Sequence, residues 1–239
     1  MSRAEDILAV REKLGIRRKE FSDALCFTKE QEKMLKEWET GKSDVSDEIY
    51  DKIMNFPTEP LFKNRPIEEC RFKQIDLFAG IGGIRQPFQK HGGYNVYSSE
   101  WDKFAQTTYR INYGEVPDGD ITLVDEKDIP DHDLLLAGFP CQPFSQAGLH
   151  KGFEDTRGTL FFEVERIIKE KDPYGFVLEN VEGLVNHDKK NPKDKIGRTL
   201  SLILKHLEAL DYKINWRVLN AKDFGVPQDR KRIYIIGTK

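Results

Sequence analysis

The sequence predicts an α/β chain, a mostly parallel sheet closed by an antiparallel last strand, preceded by a small all-α unit. Three observations carry this. From Phe72 onward, short apolar runs alternate with stretches whose apolar residues recur at helical spacing, the pattern of βαβ units. The first run, residues 75–78, passes into a turn holding Gly80, Gly82 and Gly83 and then into a helix through Phe88. Residues 1–56, in contrast, show helical spacing only.

The leader divides into four short helices. Ile7, Val10 and Leu14 line the first, which ends near Gly15, and Phe21 and Leu25 mark the inner face of the second. Thr28 caps the third with Gln31 three residues on, the capping-box spacing. Leu35 and Trp38 supply its apolar side and Gly41 stops it; a fourth helix with Ile49 and Ile53 follows the cap Ser46. With Arg11 and Gly15 followed by Trp38, Glu39, Thr40, Gly41 and Lys42, this unit resembles the helix-turn-helix domain of phage-repressor and controller-type regulators. Glu30, Glu32 and Glu37 dilute Lys29, Lys33 and Lys36 on its third helix, so operator DNA binding and a plain packing or dimerisation role both stand. Residues 57–70, with Pro57, Pro60 and Pro66, read as a linker, and residues 71–239 as the second domain.

Composition sets the outer limits. A chain of 239 residues, 38% hydrophobic and 33% charged, holds one good-sized domain plus a small one. No apolar run approaches the roughly 20 residues of a membrane span, and no basic stretch with an apolar core opens the chain as a secretory signal would. Cys26, Cys70 and Cys141 are scattered and odd in number, and the five histidines have no ligand-like spacing. A cytoplasmic protein with no membrane partner and no metal site is expected. The net charge is −3; residues 1–66 hold 13 basic and 14 acidic side chains, residues 67–239 hold 25 and 27. Neither part is basic, so any nucleic-acid surface is a local patch or comes from another chain.

The strand ends of the second domain carry the chemistry. Leu134, Leu135, Leu136 and Ala137 run into Gly138, Phe139, Pro140 and Cys141, placing a thiol where a buried strand gives way to a loop. By residue type alone a lone cysteine is a small buried hydrophobe. Here the flanking Pro140 and Pro143 stiffen the backbone, and ligands of open α/β sheets bind at the carboxyl ends of strands. A second apolar run, Val177 and Leu178, leads into the carboxylate of Glu179, which gives a nucleophile with a nearby proton donor. The glycine turn lets a ligand approach the backbone. Glu100, about 20 residues later, stands where a ribose diol is held in such folds, and Trp101 offers a face for a purine. Asp120 and Ile121 are read as a third strand end beside the adenine. Leu160 opens an amphipathic helix over 160–168, a second covers 196–210, and residues 214–219 and 233–236 are the antiparallel pair.

Phe78, Gly80 and Gly82, then Glu100 and Trp101, Gly119 to Ile121, Gly138 to Gln142, Glu179 to Val181, and Gln228, Arg230 and Arg232 occur in this order. From about Phe72 to Gly237 the chain resembles the DNA cytosine-5 methyltransferases, particularly those of bacterial restriction–modification systems. The resemblance implies a Rossmann-like S-adenosylmethionine-dependent methyltransferase fold. It implies that Phe78, Gly80, Ile81, Gly83, Glu100, Trp101, Asp120, Ile121, Pro140 and Leu160 bind S-adenosyl-L-methionine, and that Cys141, Glu179, Arg230 and Arg232 are catalytic. Gln142, Ser145 and Gln228 would contact duplex DNA.

In that chemistry a thiolate adds to cytosine C6 and makes C5 enamine-like, while an acid at N3 drains the charge. C5 attacks the donor methyl, the C5 proton leaves, and the thiolate is eliminated. The thiol, of reference pKa about 8.5, needs nearby positive charge, for which Arg230 and Arg232 are the candidates. The base must be flipped out of the duplex, at a cost of a few kcal/mol, and residues 145–157 form a loop long enough to close over it. Single-chain relatives continue into a target-recognition domain and a final motif that completes the cofactor pocket, whereas this sequence stops at Lys239. A split enzyme completed by a second polypeptide is favoured over a truncated form. A tRNA cytosine-5 methyltransferase and a non-catalytic DNA-binding regulator are the competing functions. A dinucleotide oxidoreductase would use the glycine turn but not the thiol–acid pair.

Overall fold

The computed structural model describes residues 2–140, 160–191 and 193–239, so Cys141, Gln142, Ser145 and the loop 145–157 lie outside the described residues. Its chain divides into one unit of Met1–Lys63 with Arg110–Glu115 and another of Asn64–Tyr109 with Val116–Lys239. No helix among the described residues is long and apolar enough to cross a membrane.

In the second unit the described strands form one six-stranded sheet: β1 (Phe72–Leu77), β2 (Gly93–Ser99), β3 (Leu134–Ala137), β4 (Gly175–Val181), β5 (Lys213–Asn220) and β6 (Lys231–Thr238), in the order β2-β1-β3-β4-β6-β5. β2, β1, β3 and β4 run parallel, and β6 is antiparallel to both β4 and β5. The predicted class and the antiparallel closing pair are therefore found. β3 is a short, wholly apolar run, because a parallel strand covered on both faces has no solvent side to mark, whereas β1 carries Lys73, Gln74 and Asp76 among its apolar residues.

One face of the sheet is packed by α7 (Leu160–Lys171) and α8 (Arg198–Glu208). Phe161, Val164, Ile167 and Ile168 of α7 and Leu200, Ile203 and Leu207 of α8 are buried against Ile75, Leu77, Leu135, Ala137, Phe176, Leu178, Ile233 and Ile235. Gly237 is fixed by this packing, since a Cβ there would stand 2.1 Å from the Phe176 ring. Gly138, at the open end of β3, has Ile84 at 3.2 Å from the same virtual atom.

The helices of the first unit are α1 (Arg3–Leu14), α2 (Arg18–Ala24), α3 (Lys29–Glu39) and α4 (Asp47–Met54). The sequence signals act as expected. Gly15 takes φ 61 after α1, Thr28 and Gln31 form the reciprocal cap of α3, and Ser46 accepts the Ile49 N–H. Ile7, Phe21, Leu35, Trp38 and Ile53 form its core. Glu39, with its side chain 1% exposed, is held by Arg11 and Arg18, each at 2.5 Å. A carboxylate this deep is tolerable because two guanidinium groups neutralise and hydrogen-bond it.

α5 (Arg85–Lys90) and α6 (Lys103–Tyr113) complete the described helices. α5 begins two residues after Gly83 and runs through Phe88, as expected of the helix after the glycine turn. Residues 120–121 are not a strand end: only Asp118 bridges to β2, at Ser99, and a 3-10 turn, Ile121–Leu123, follows. The reason is local. Asp120 Oδ1 accepts both the N–H and the hydroxyl of Thr122, so the side chain offers the backbone a turn in place of a ladder. β4 likewise continues two residues past Glu179.

Under the glycine turn lies a buried polar network. Arg85, fully buried, donates to Gln89 at 2.8 Å, to the Tyr109 hydroxyl at 2.7 Å and to Asn64 at 3.1 Å. Asp76 on β1 is 1% exposed, and neither of its oxygens has a hydrogen-bond partner among the described residues. Burial pushes its carboxyl well above the ordinary range, opposed by Arg85 and reinforced by Glu100. A carboxyl raised on folding keeps its proton in the native state at pH values where the unfolded chain has lost it. Its contribution is fully present below the unfolded pKa and is lost as pH rises through the folded one. Asp76→Asn, which is uncharged at every pH, is expected to flatten the fall in stability between mildly acidic and neutral buffer and to equal or exceed the parent at neutral pH. Urea unfolding of both proteins across that range checks this.

Candidate active site

Around the ends of β1, β2 and β3 the backbone is arranged by three left-handed residues close together. Phe78, Gly80 and Gly82 take φ 53, 55 and 88. A Cβ on Gly80 would meet no atom within 4 Å, so it is the backbone angle that calls for glycine there. Phe78 bears the same angle with a side chain, a strained position of the kind that clusters at ligand clamps.

Glu100 ties this turn to the end of β2. Its Oε2 accepts the Gly80 N–H at 2.7 Å and its Oε1 the Asp102 N–H at 2.8 Å. The Glu100 N–H donates to the Asp118 carbonyl at 2.7 Å, and the Asp118 N–H to the Ser98 carbonyl at 2.8 Å. Glu100 is 8% exposed, whereas the adjacent Trp101 is 76% exposed.

These elements enclose a cleft of about 380 Å³. Phe78 lines it just past β1, Ser99, Glu100 and Trp101 at and past the end of β2, Gly119 to Thr122 at the 3-10 segment, Gly138 and Pro140 just past β3, and Leu160 at the start of α7. Of the ten residues expected at the cofactor, seven meet here: Phe78, Glu100, Trp101, Asp120, Ile121, Pro140 and Leu160. Gly80 stands behind the wall as the partner of Glu100, and Ile81 and Gly83 are not among the lining residues. Ile81 is 57% exposed and Gly83 borders a second hollow. The cleft fits a nucleoside with a charged tail. A carboxylate has about four acceptor positions, of which Glu100 uses two on the backbone, which leaves capacity for a diol. An exposed indole stands beside it for a purine face, and no atom lies within 4 Å of a Cβ built on Gly119.

The second hollow, a trough of about 750 Å³, shares Phe78 and Gly138 with the cleft and holds Glu179, Arg230 and Tyr234. Arg232 Nε lies 2.9 Å from Glu179 Oε1, both side chains about one-fifth exposed. This contact spans neighbouring strands, since Val181 of β4 faces Arg232 of β6 and Glu179 faces Tyr234. Burial and the Glu179 carboxylate push the Tyr234 phenol up. Arg230 is placed by its backbone, its N–H donating to Asn220 Oδ1 at 3.1 Å. Gln228 is exposed in the preceding loop, its N–H donating to the Val226 carbonyl. Of the predicted chemistry, Glu179 and Arg232 thus meet across β4 and β6 and Arg230, just before β6, lines the same trough as Glu179, while Cys141, Gln142 and Ser145 lie outside the described residues.

Two residues were missed by sequence reasoning. Asn180, 2% exposed, donates through Nδ2 to the Phe139 carbonyl at 2.9 Å and pins the segment that leads to Cys141. Its signal was present, a polar residue inside an apolar strand. Arg166 on α7 gave no signal; it binds the 3-10 segment of the cleft wall from 45 residues away.

The C-5 cytosine-specific DNA methylase family model matches residues 72–239. The chain is 52% identical over 235 residues to the type II methyltransferase M.SsoII of Shigella sonnei, covering 98% of this chain and 60% of that protein. It is 51% identical to M1.ScrFI of Lactococcus lactis subsp. cremoris, over 94% of this chain and 56% of that one. It is 57% identical to M.NgoBI of Neisseria gonorrhoeae, over 70% and 50%. The chain therefore spans about half to three-fifths of the length of these curated relatives. In fold it is similar to the S. pombe Dnmt2 methyltransferase, with a TM-score of 0.56 at 23% identity over 70% of this chain and 51% of that one. The Spodoptera frugiperda DNMT2 mutant gives 0.57 at 24% over 71% and 50%. Over its sheet, its cleft and its Glu179–Arg232 pair, the chain belongs to the C-5 cytosine-specific DNA methylase family, whose methyl donor is S-adenosyl-L-methionine.

Proposed function

We propose that these residues form the cofactor-binding and catalytic part of an enzyme that methylates C5 of cytosine in duplex DNA within a restriction–modification system. Target choice would come from a second polypeptide. The observation that carries the reading is the meeting of the two hollows at Gly138, three residues before Cys141. A donor in the cleft and a base in the trough would share that wall. Glu100 would hold the ribose diol, Trp101 the purine face, Asp120 and Ile121 its edge, and Phe78, Pro140 and Leu160 would close around it. S-adenosyl-L-methionine, when bound, supplies an electrophilic methyl on a sulfonium.

The chain's own residues do the rest. Cys141 adds as a thiolate to C6 of a flipped cytosine, forming the S–C6 bond and moving the electron pair to C5. Glu179 donates a hydrogen bond or proton at N3, where the displaced charge collects. Once C5 has taken the methyl group, its proton passes to a base and the S–C6 bond breaks, which restores the ring. Arg232, held on Glu179, orients that acid. Arg230 borders the base, and Gln142, Ser145 and Gln228 contact the DNA. Support for target choice lying elsewhere is a sequence that is not basic overall.

Transfer of labelled methyl from S-adenosyl-L-methionine to mixed-sequence duplex DNA tests this, using the purified protein alone and with any adjacent gene product. Activity is expected only with the partner and is expected to vanish in Cys141→Ala. Efficient turnover by the protein alone removes the second polypeptide from the reading, and labelling of tRNA in preference to duplex replaces the substrate.

The first unit supports a second, separate activity, binding of operator DNA. α2 and α3 stand in helix-turn-helix order, and Lys29, Lys33 and Lys36 of α3 are exposed while Leu35 and Trp38 are buried. Phosphate contacts of this kind are salt-dependent. Retardation of the DNA upstream of the gene is expected to weaken as salt rises and to be lost in a Lys29, Lys33, Lys36 triple alanine variant. Equal retardation by that variant leaves the unit a packing or dimerisation role.

A further inference from the structure

The wall of the cleft formed by residues 119–122 is held by the Asp120–Thr122 turn and by Ile121 in the core, but by no strand ladder. Between the bridge of Asp118 to Ser99 and the start of β3 at Leu134 there is no strand, only two 3-10 turns, Ile121–Leu123 and Glu126–Asp128. Such turns are short and their hydrogen bonds poorly aligned. Among the described residues, α7 supplies what they lack. Arg166 Nη2 donates to the carbonyls of Ile121 and Val124, both at 2.8 Å, and so satisfies the carboxyl end of the first turn. Its Nη1 donates to Glu126 at 2.6 Å at the start of the second, and its Nε to Glu163 at 2.6 Å on its own helix.

The guanidinium is used as a fork, with four of its five donors committed in fixed directions. Glu163 and Glu126 hold its charge, and the Arg166 side chain is 25% exposed. A second cation further along α7, Lys171, reaches the Lys127 carbonyl at 3.1 Å, beyond the cleft. The geometry has a consequence for the cleft as a whole, because α7 begins with Leu160, six residues before Arg166 and itself a lining residue. One helix therefore lines the cleft directly through Leu160 and holds the Asp120–Ile121 part of its wall through one side chain.

We infer that Arg166 is a positioning residue for the methyl donor, holding Asp120 and Ile121 at the distance from Leu160 that the adenosyl group needs. The inference rests on the reading of the cleft as the S-adenosyl-L-methionine site. It assigns the residue no contact with the donor; its effect passes through the backbone of the 3-10 turn.

The test is calorimetric titration of the purified protein with S-adenosyl-L-homocysteine, for the parent, Arg166→Lys and Arg166→Met, beside amide exchange of residues 119–126 and urea unfolding of each protein. Arg166→Met is expected to lose about tenfold or more in affinity, the worth of one or two hydrogen bonds to a charged group. Exchange should accelerate in 119–126 and stay unchanged in β1 and β4. Arg166→Lys keeps the charge and stem but not the fork, and should fall between the two. In a competent assay mixture the same variants raise KM for the donor and leave kcat within about twofold, a split that a general loss of stability does not produce. An affinity equal to the parent's in folded Arg166→Met overturns the inference and leaves the cofactor reading standing. If Arg166→Met does not fold, Arg166→Lys decides, unchanged affinity again overturning it. A parent that takes up no S-adenosyl-L-homocysteine overturns the cofactor reading and this inference with it.

Discussion

The site depends on one carboxylate. At the carboxyl ends of β1 and β2 the chain must reverse twice within a few residues, and the backbone N–H groups of those turns that face inward need acceptors from the protein. Glu100 provides two, for Gly80 and Asp102. Its own N–H fixes Asp118, which starts the far wall of the cleft. Left-handed angles at Phe78, Gly80 and Gly82 persist because this acceptor stands at the right place. The strand order makes the position available: β1 lies between β2 and β3, the chain leaves β2 at one edge and returns on the other side of β1, and the gap opened by that reversal is where ligands of such sheets bind.

Much of this was legible in the sequence, for definite physical reasons. Strands buried on both faces read as unbroken apolar runs, so β3 and β4 were plain, and α8 declared itself through Leu200, Ile203 and Leu207. Glycine turns, caps and strand-end carboxylates are local features, and Gly15, Thr28, Gly80 and Glu100 all behave as local chemistry dictates. What failed was also local in cause. Asp120 follows a single bridged residue and looked like a strand end, but its carboxylate satisfies Thr122 and turns the chain. Arg166 was invisible for the opposite reason, since its partner Ile121 lies 45 residues away and no spacing rule relates them; Asn180 stood out as a polar residue in an apolar strand, but its partner Phe139, 41 residues away, did not.

The two hollows differ in what holds their charges. In the cleft the carboxylate of Glu100 is met by neutral backbone N–H groups and no cation among the described residues is bonded to it, so its charge remains available to a ligand. In the trough Glu179 is met by Arg232, and the two formal charges cancel across neighbouring strands. That pairing changes the sequence-based role of the arginine. A guanidinium already held on a carboxylate has a weak field a few ångströms further on, so it is a poor source of the charge that lowers a thiol pKa and a good device for fixing the direction of an acid. Arg230, placed through its backbone by Asn220 and bordering the same trough, is the better candidate for the first task. The sequence treated the two arginines as interchangeable because they differ by two positions. Arg232 lies on β6, where the ladder brings it to Glu179, whereas Arg230 precedes the strand, is placed by Asn220 and lines the trough.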